Sequence, residues 1–226
     1  LHLMAYRIGE DKSMMLPVMV CMDGFILTHG IETVDMPTQE QVDKFLPPYK
    51  PLYKLDVTNP MTLGPLVDPD YYMEARFALH KTLEESLELI PRVCSEFSKV
   101  FGREYNGLVE KYRVEDAERV IVAMCSVCGT IKDVVDELRA KGKKVGLLKV
   151  TCYRPFPIQA IYDALKNIPK VAVLDKALSL GSYAPLAVDI KAAFFGKKKA
   201  PKVISSFNAG LGGRDITKHS IKEIYR

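Results

Sequence analysis

The 226-residue sequence has no apolar run near the roughly 20 residues that a membrane-spanning helix needs, and no basic, apolar, small-residue order at its start. Both absences argue against a membrane partner and against secretion. Histidine is scarce, with four copies, and the five cysteines are odd in number and irregularly spaced. A scattered, odd set is not a disulfide framework and fits a reducing cytoplasm. A large excess of basic charge is missing too. The net charge is +4, and no basic stripe interleaved with aromatics occurs, which argues against nucleic-acid binding. The densest cationic cluster, Lys197, Lys198, Lys199 and Lys202, reads as a solvated loop between helix and strand, with docking of an acidic partner as the alternative. Neither an internal repeat nor a low-complexity segment is present.

What is there is ordinary for a globular chain. Hydrophobic residues make up 48% and charged residues 27%, over a length that supports one or two domains with a real core. The stretch "LPVMVCMDG" (16–24) has the composition of a buried strand. Such a strand needs neighbours on both sides. Few residues precede it and the chain starts at Leu1, so the expectation is that the natural beginning is missing. A short helix follows at "TQEQVDKFL", with Thr38 as N-cap and Gln41 three positions on. Residues 47–70 carry six prolines and no periodicity, and read as an irregular linker wrapping a surface.

From Tyr71 to Phe101 a long helix is expected, capped by Asp68 or Asp70 with Pro69 in its first turn. Leu83, Leu87, Ile90, Cys94, Phe97 and Phe101 alternate at steps of four and three and share a face. Pro91 predicts a kink, His80 extends the same stripe as a packed histidine, and Cys94 reads as core.

Beyond about residue 115 four short apolar strands (119–125, 145–150, 170–175 and 202–207) alternate with amphipathic helices. In one helix Ile131, Val134, Val135 and Leu138 fall at i, i+3, i+4 and i+7; Ile158, Ile161, Tyr162 and Leu165 repeat this spacing in the next. The fold class is α/β, a parallel-type sheet with flanking helices and right-handed crossovers.

Between the first of these strands and its helix lies "CSVCGT", with Cys125 and Cys128. Its amides point out at the sheet's carboxyl edge, where α/β ligands bind and where a helix N-terminus lowers a thiol pKa. Redox or metal chemistry is therefore physically open. Against it, Gly129 and Thr130 look like the start of the helix, a metal site needs about four ligands, and a cluster needs a tighter thiolate series. The better reading is a turn of small residues.

Several turns resemble one family. "LKVTCYRPFP" (148–157), "LDKALSLG" (174–181) and "NAGLGGRDIT" (208–217) look like the C-terminal region of the alpha subunit of pyruvate:ferredoxin oxidoreductase. "PVMVCMDGFILTHGIETV" (17–34) resembles the end of that subunit's pyrimidine-binding domain. The resemblance implies a transketolase C-terminal-domain-like region at 115–226, a remnant of the thiamine diphosphate pyrimidine-binding domain at 1–46, and a proline-rich linker with a long kinked helix at 47–114. Two departures stand out: Cys125 where the family usually has glycine, and Ala184 where glycine is expected.

The resemblance further implies a cytoplasmic complex that oxidatively decarboxylates pyruvate with thiamine diphosphate and Mg2+, coenzyme A and [4Fe-4S] clusters. Beta, gamma and delta subunits would be partners, with ferredoxin reached through the complex. No segment matches the family's cofactor-activating glutamate, and no catalytic residue, metal site or cofactor is expected on this chain alone. Asp23, Thr28 and His29 are candidates for a pocket edge. Arg154 is expected in a structural or interface ion pair, and Gly210, Gly212, Gly213, Arg214 and Asp215 in structural turns or an interface. In "GLGGRDIT" the glycines allow positive φ and Asp215 or Thr217 caps the last helix, a phosphate cradle being the other reading. Two alternatives of other classes remain: a stand-alone Cys-x-x-Cys thiol oxidoreductase, and a non-catalytic interaction module.

Overall fold

A computed structural model describes every residue of the chain except Asn106. The chain forms two compact units, Leu1–Cys21 with Ile31–Asn106, and Met22–Gly30 with Gly107–Arg226.

In the first unit, α1 (His2–Gly9) packs against a much longer helix. The second unit takes in α2 (Ile26–His29), a single turn. Back in the first unit, α3 (Gln39–Phe45) starts with the expected capping box, in which Thr38 and Gln41 exchange side-chain and backbone hydrogen bonds. Residues 47–68 contain no helix or strand. The long helix α4 (Pro69–Phe101) is capped by Asp68, whose carboxylate accepts from the Asp70 amide, and it ends at Gly102 in a left-handed conformation. It continues through Pro91. The core of this unit joins Met4, Ile8, Met14 and Phe45 to Leu89, Val93, Cys94 and Phe97. Cys94 is core, as expected, but the buried stripe also runs through Ser86, Leu89 and Val93, while Leu83, Leu87, Ile90 and Phe101 are half-buried. His80 is exposed, 3.5 Å from Glu84, and is not a packed histidine. The first turns of α4 have no core beneath them: residues 68–78 are all exposed.

The strand expected at 16–24 is not formed; the stretch is unpaired, with Met19 86% and Met22 66% exposed. An apolar strand buried on both faces exists only where two neighbours pair with it, and none of the described strands does so.

The second unit is a three-layer α/β domain. Its strands are β1 (Val109–Tyr112), β2 (Arg119–Ala123), β3 (Val145–Val150), β4 (Lys170–Asp175) and β5 (Val203–Asn208), in the order β1-β3-β2-β4-β5. The last four are parallel, as expected. The sheet is nevertheless mixed, because β1 runs antiparallel along β3. Only four residues long and half-exposed, β1 carries too little apolar pattern to be read as a strand. Along β2 the side chains alternate. Val120 and Val122 join α6 (Ile158–Leu165) and α7 (Pro185–Phe194) on one face, and Ile121 and Ala123 join α5 (Val127–Arg139) and α8 (Lys218–Tyr225) on the other. Both faces of β2 are thereby buried, and the chain's direction reverses at β2: it leaves toward β3, then crosses over to β4 and β5. The crevice at the carboxyl ends of β2 and β4 is the topological switch point where α/β sheets receive ligands.

Candidate functional site

That crevice is already occupied, by the chain itself. Ser126 follows β2 and Lys176 follows β4. Both converge on Asp23, from the segment Met22–Gly30. The Asp23 carboxylate accepts the Ser126 backbone amide at 3.0 Å, the Ser126 hydroxyl, and the Lys176 ammonium at 2.9 Å. Its side chain is 20% exposed. Burial pushes the carboxyl pKa up, but the Ser126 and Lys176 donors outweigh it and hold the group below the usual carboxylate range.

Thr28 and His29 do not enter the crevice. Both turn back on Phe25: the Thr28 hydroxyl donates to the Phe25 carbonyl at 3.3 Å, and His29 Nδ1 lies 2.6 Å from the same oxygen. A carbonyl only accepts, so that nitrogen carries the proton. The two rings lie 4.8 Å apart, and Phe25 has φ 57, in the left-handed region. Of the three edge candidates, then, one is clamped in the crevice and two shape an exposed turn. Ser126, Lys176 and Phe25 were not singled out from sequence, although each of the first two sits just past an apolar strand, which was a usable signal.

The cysteine turn resolves into two different environments. α5 begins at Val127, two residues earlier than Gly129 suggested, so Cys128 lies in its first turn. A helix N-terminus favours thiolate, yet Cys128 is 2% exposed, and burial pushes its thiol up to about 12 against the opposing charge of Lys149. Cys125 is exposed with φ 61. Left-handed backbone is what glycine adopts without cost, so the glycine that the resemblance implies there would suit the φ as well as the size. Ala184, the other departure, has φ −59 as the N-cap of α7, where glycine is not required.

Asp175, 3% exposed at the end of β4, accepts the Ala187 amide at 3.2 Å and seats α7; burial raises its pKa. Arg154 pairs with Asp189 at 2.9 Å and lies over the Tyr153 ring at 4.1 Å, within the same unit. In the glycine loop Gly210, Gly212 and Gly213 all have positive φ. A Cβ on Gly210 would meet Ile216 at 3.0 Å and the Lys176 stem at 3.3 Å, so bare backbone packs beside the lysine that reaches Asp23. Arg214 and Asp215 are exposed. The cap of α8 is Thr217, which accepts from the Ser220 amide, and not Asp215. Among the described residues no group of three or more His, Cys, Asp or Glu is placed to hold a metal ion, and no helix is long and apolar enough to cross a membrane.

Residues 1–93 match the family described as pyruvate flavodoxin/ferredoxin oxidoreductase, thiamine diP-binding, and residues 117–221 match pyruvate:ferredoxin oxidoreductase core domain II. The chain is 53% identical over 99% of its length to pyruvate synthase subunit PorA of Methanothermobacter thermautotrophicus, covering 57% of that protein. It is 40% identical over 98% of its length to ketoisovalerate oxidoreductase subunit VorA of Pyrococcus horikoshii, covering 56%. A solved 2-oxoglutarate:ferredoxin oxidoreductase from Magnetococcus marinus aligns with a TM-score of 0.44 and 20% identity over 70% of this chain and 24% of that one. The chain thus spans a little over half the length of the curated relatives it matches. Two family regions in the expected order, on a chain half-identical to an alpha-type subunit, place it in the pyruvate:ferredoxin oxidoreductase family.

Proposed function

We propose that this chain serves in the alpha subunit of a complex that oxidatively decarboxylates pyruvate to acetyl-CoA and CO2, passing two electrons to ferredoxin. The observation that carries this reading is the 53% identity to a pyruvate synthase subunit across both matched regions. Thiamine diphosphate supplies the nucleophilic carbon in such chemistry, with coenzyme A as acyl acceptor. The described residues do not fit Mg2+ or a [4Fe-4S] cluster: no ligand group of three exists, Cys94 and Cys128 are buried, and the carboxylate at the switch point is held by Ser126 and Lys176. On the resemblance, those centres belong to beta, gamma and delta partner subunits in the cytoplasm.

What this chain contributes is shape. Residues 115–226 form a transketolase C-terminal-like wall, 1–46 the end of the pyrimidine-binding domain, and 47–114 the link. Burial of Cys128 and its raised thiol pKa count against a reactive pair with the exposed Cys125, and so against the dithiol alternative. Co-expression of the full-length subunit with its partners tests the proposal. Pyruvate- and CoA-dependent ferredoxin reduction that disappears when this subunit is omitted is the expected result. A complex that assembles and turns over fully without it would overturn the reading, and preference for a branched 2-oxoacid would correct the substrate.

A further inference from the structure

The segment Met22–Gly30 belongs to the stretch matched by the thiamine-binding family region, yet it folds as part of the unit built on core domain II. Apolar burial does not hold it there. Met22, Phe25, Ile26 and Leu27 are 66, 77, 68 and 52% exposed. A single helical turn is not stable by itself, and Phe25 sits in a backbone region that a residue with a Cβ resists. Something outside the turn must fix it. Among the described residues, the side-chain hydrogen bonds that tie 22–30 to the rest of the unit all run to Asp23.

We propose that Asp23 is a positioning residue: by clamping onto Ser126 and Lys176 at the switch-point crevice, it sets the orientation of the Phe25–His29 turn against core domain II. The geometry suits a clamp. Its donors come from two loops, one after β2 and one after β4, so the carboxylate bridges the crevice instead of resting on one side. One oxygen takes both Ser126 donors and the other takes Lys176, which locks the rotation of the carboxylate as well as its position. Behind Lys176 the bare backbone of Gly210 confines the lysine stem at 3.3 Å from where a Cβ would lie. The turn then closes on itself through the two bonds to the Phe25 carbonyl, leaving His29 Nε2 and the Phe25, Ile26 and Leu27 side chains presented outward. Resting on the proposed function, this turn edges the pocket that thiamine chemistry uses, and the clamp couples the two matched family regions.

The Ser126 amide is a direct reporter, since Asp23 is its acceptor. In the full-length subunit, Asp23→Ala is expected to speed hydrogen exchange at Ser126, and chymotryptic cleavage at Phe25 or Leu27, by about tenfold or more, the loss of at least one charge-assisted hydrogen bond. Asp23→Asn, which keeps an acceptor for Ser126, should fall between wild type and alanine. Lys176→Met should release the turn without touching Ser126. Exchange at Leu147 and Leu148 on β3 should not change, which separates release from global unfolding. In the assembled complex the same variants should lower kcat by about tenfold while the pyruvate KM stays within about twofold, the signature of lost alignment rather than lost binding. Unchanged exchange and cleavage in all three variants would overturn the clamp whatever the activity. A released turn with unchanged kcat would overturn the positioning role and leave the proposed function standing. If wild-type complex fails to oxidise pyruvate, the proposed function falls, and the exchange measurements still decide the clamp.

Discussion

Cys128 offers the sharpest chemical test, because its Cys-x-x-Cys motif leaves redox chemistry physically open. A thiol in the first turn of a helix, three residues from another cysteine, is the pattern of a reactive pair. In this fold the sulfur is packed among Ile121, Val127 and Ile131, with 2% of the residue exposed. A thiol at about 12 is about one part in ten thousand thiolate near pH 8, where an ordinary thiol of pKa about 8.5 is about one quarter ionised. The difference is about three orders of magnitude in nucleophile before access is counted. Native protein treated with iodoacetamide and read by mass spectrometry should therefore alkylate exposed Cys21 about a thousandfold faster than Cys128. A Cys128 rate within about tenfold of Cys21 would refute the reasoning. The same burial has a stability consequence. The folded pKa is raised, so the contribution of the neutral thiol is complete below the unfolded value of about 8.5 and is lost as pH rises toward about 12. Over that window unfolding should become easier by about 1.4 kcal/mol per pH unit from this group alone. Urea denaturation from pH 9 to 10.5 should show a shallower decline in Cys128→Ala than in wild type, with equal slopes as the contrary result.

Gly146→Ala should destabilise the α/β unit by about 1–3 kcal/mol in chemical denaturation, because the new Cβ would collide with the Arg113 carbonyl oxygen, with the Arg113 carbonyl carbon at 3.0 Å and the Tyr112 oxygen at 3.1 Å. Gly129→Ala in α5 meets nothing within 4 Å and should instead stabilise by about 0.5–1 kcal/mol. Tyr225 donates its buried hydroxyl to the Gly146 carbonyl at 2.8 Å, so Tyr225→Phe should cost about 1 kcal/mol in the same assay. Asp175→Ala should cost about 1–3 kcal/mol by stranding the first amides of α7, and Asp175→Asn less than half of that. Burial raises the Asp175 pKa, so wild type should lose stability relative to Asp175→Asn as pH climbs above the unfolded value of about 4; parallel curves would show that the carboxyl is not desolvated.

Much of the architecture could be read in one dimension because it follows from local periodicity. The 3.6-residue spacing of Ile131, Val134, Val135 and Leu138 and the unbroken apolar strands point to helices laid on a parallel sheet, and Thr38, Asp68 and Thr217 cap helices for reasons contained in a few residues each. Other features depend on what lies opposite in space. Residues 16–24 have strand composition but no pairing neighbour. β1 is a strand only because β3 offers an edge. The Cys128 thiol is pushed up, because desolvation at its position exceeds the pull of the helix N-terminus. The crevice clamp is the extreme case: Asp23 lies 103 positions from Ser126 and 153 from Lys176. Local propensity therefore determined the elements and the family-bearing turns. Which carboxylate fills the switch point was decided only by the folded chain, because electrostatic complementarity acts through distances of a few ångströms that sequence separation does not encode.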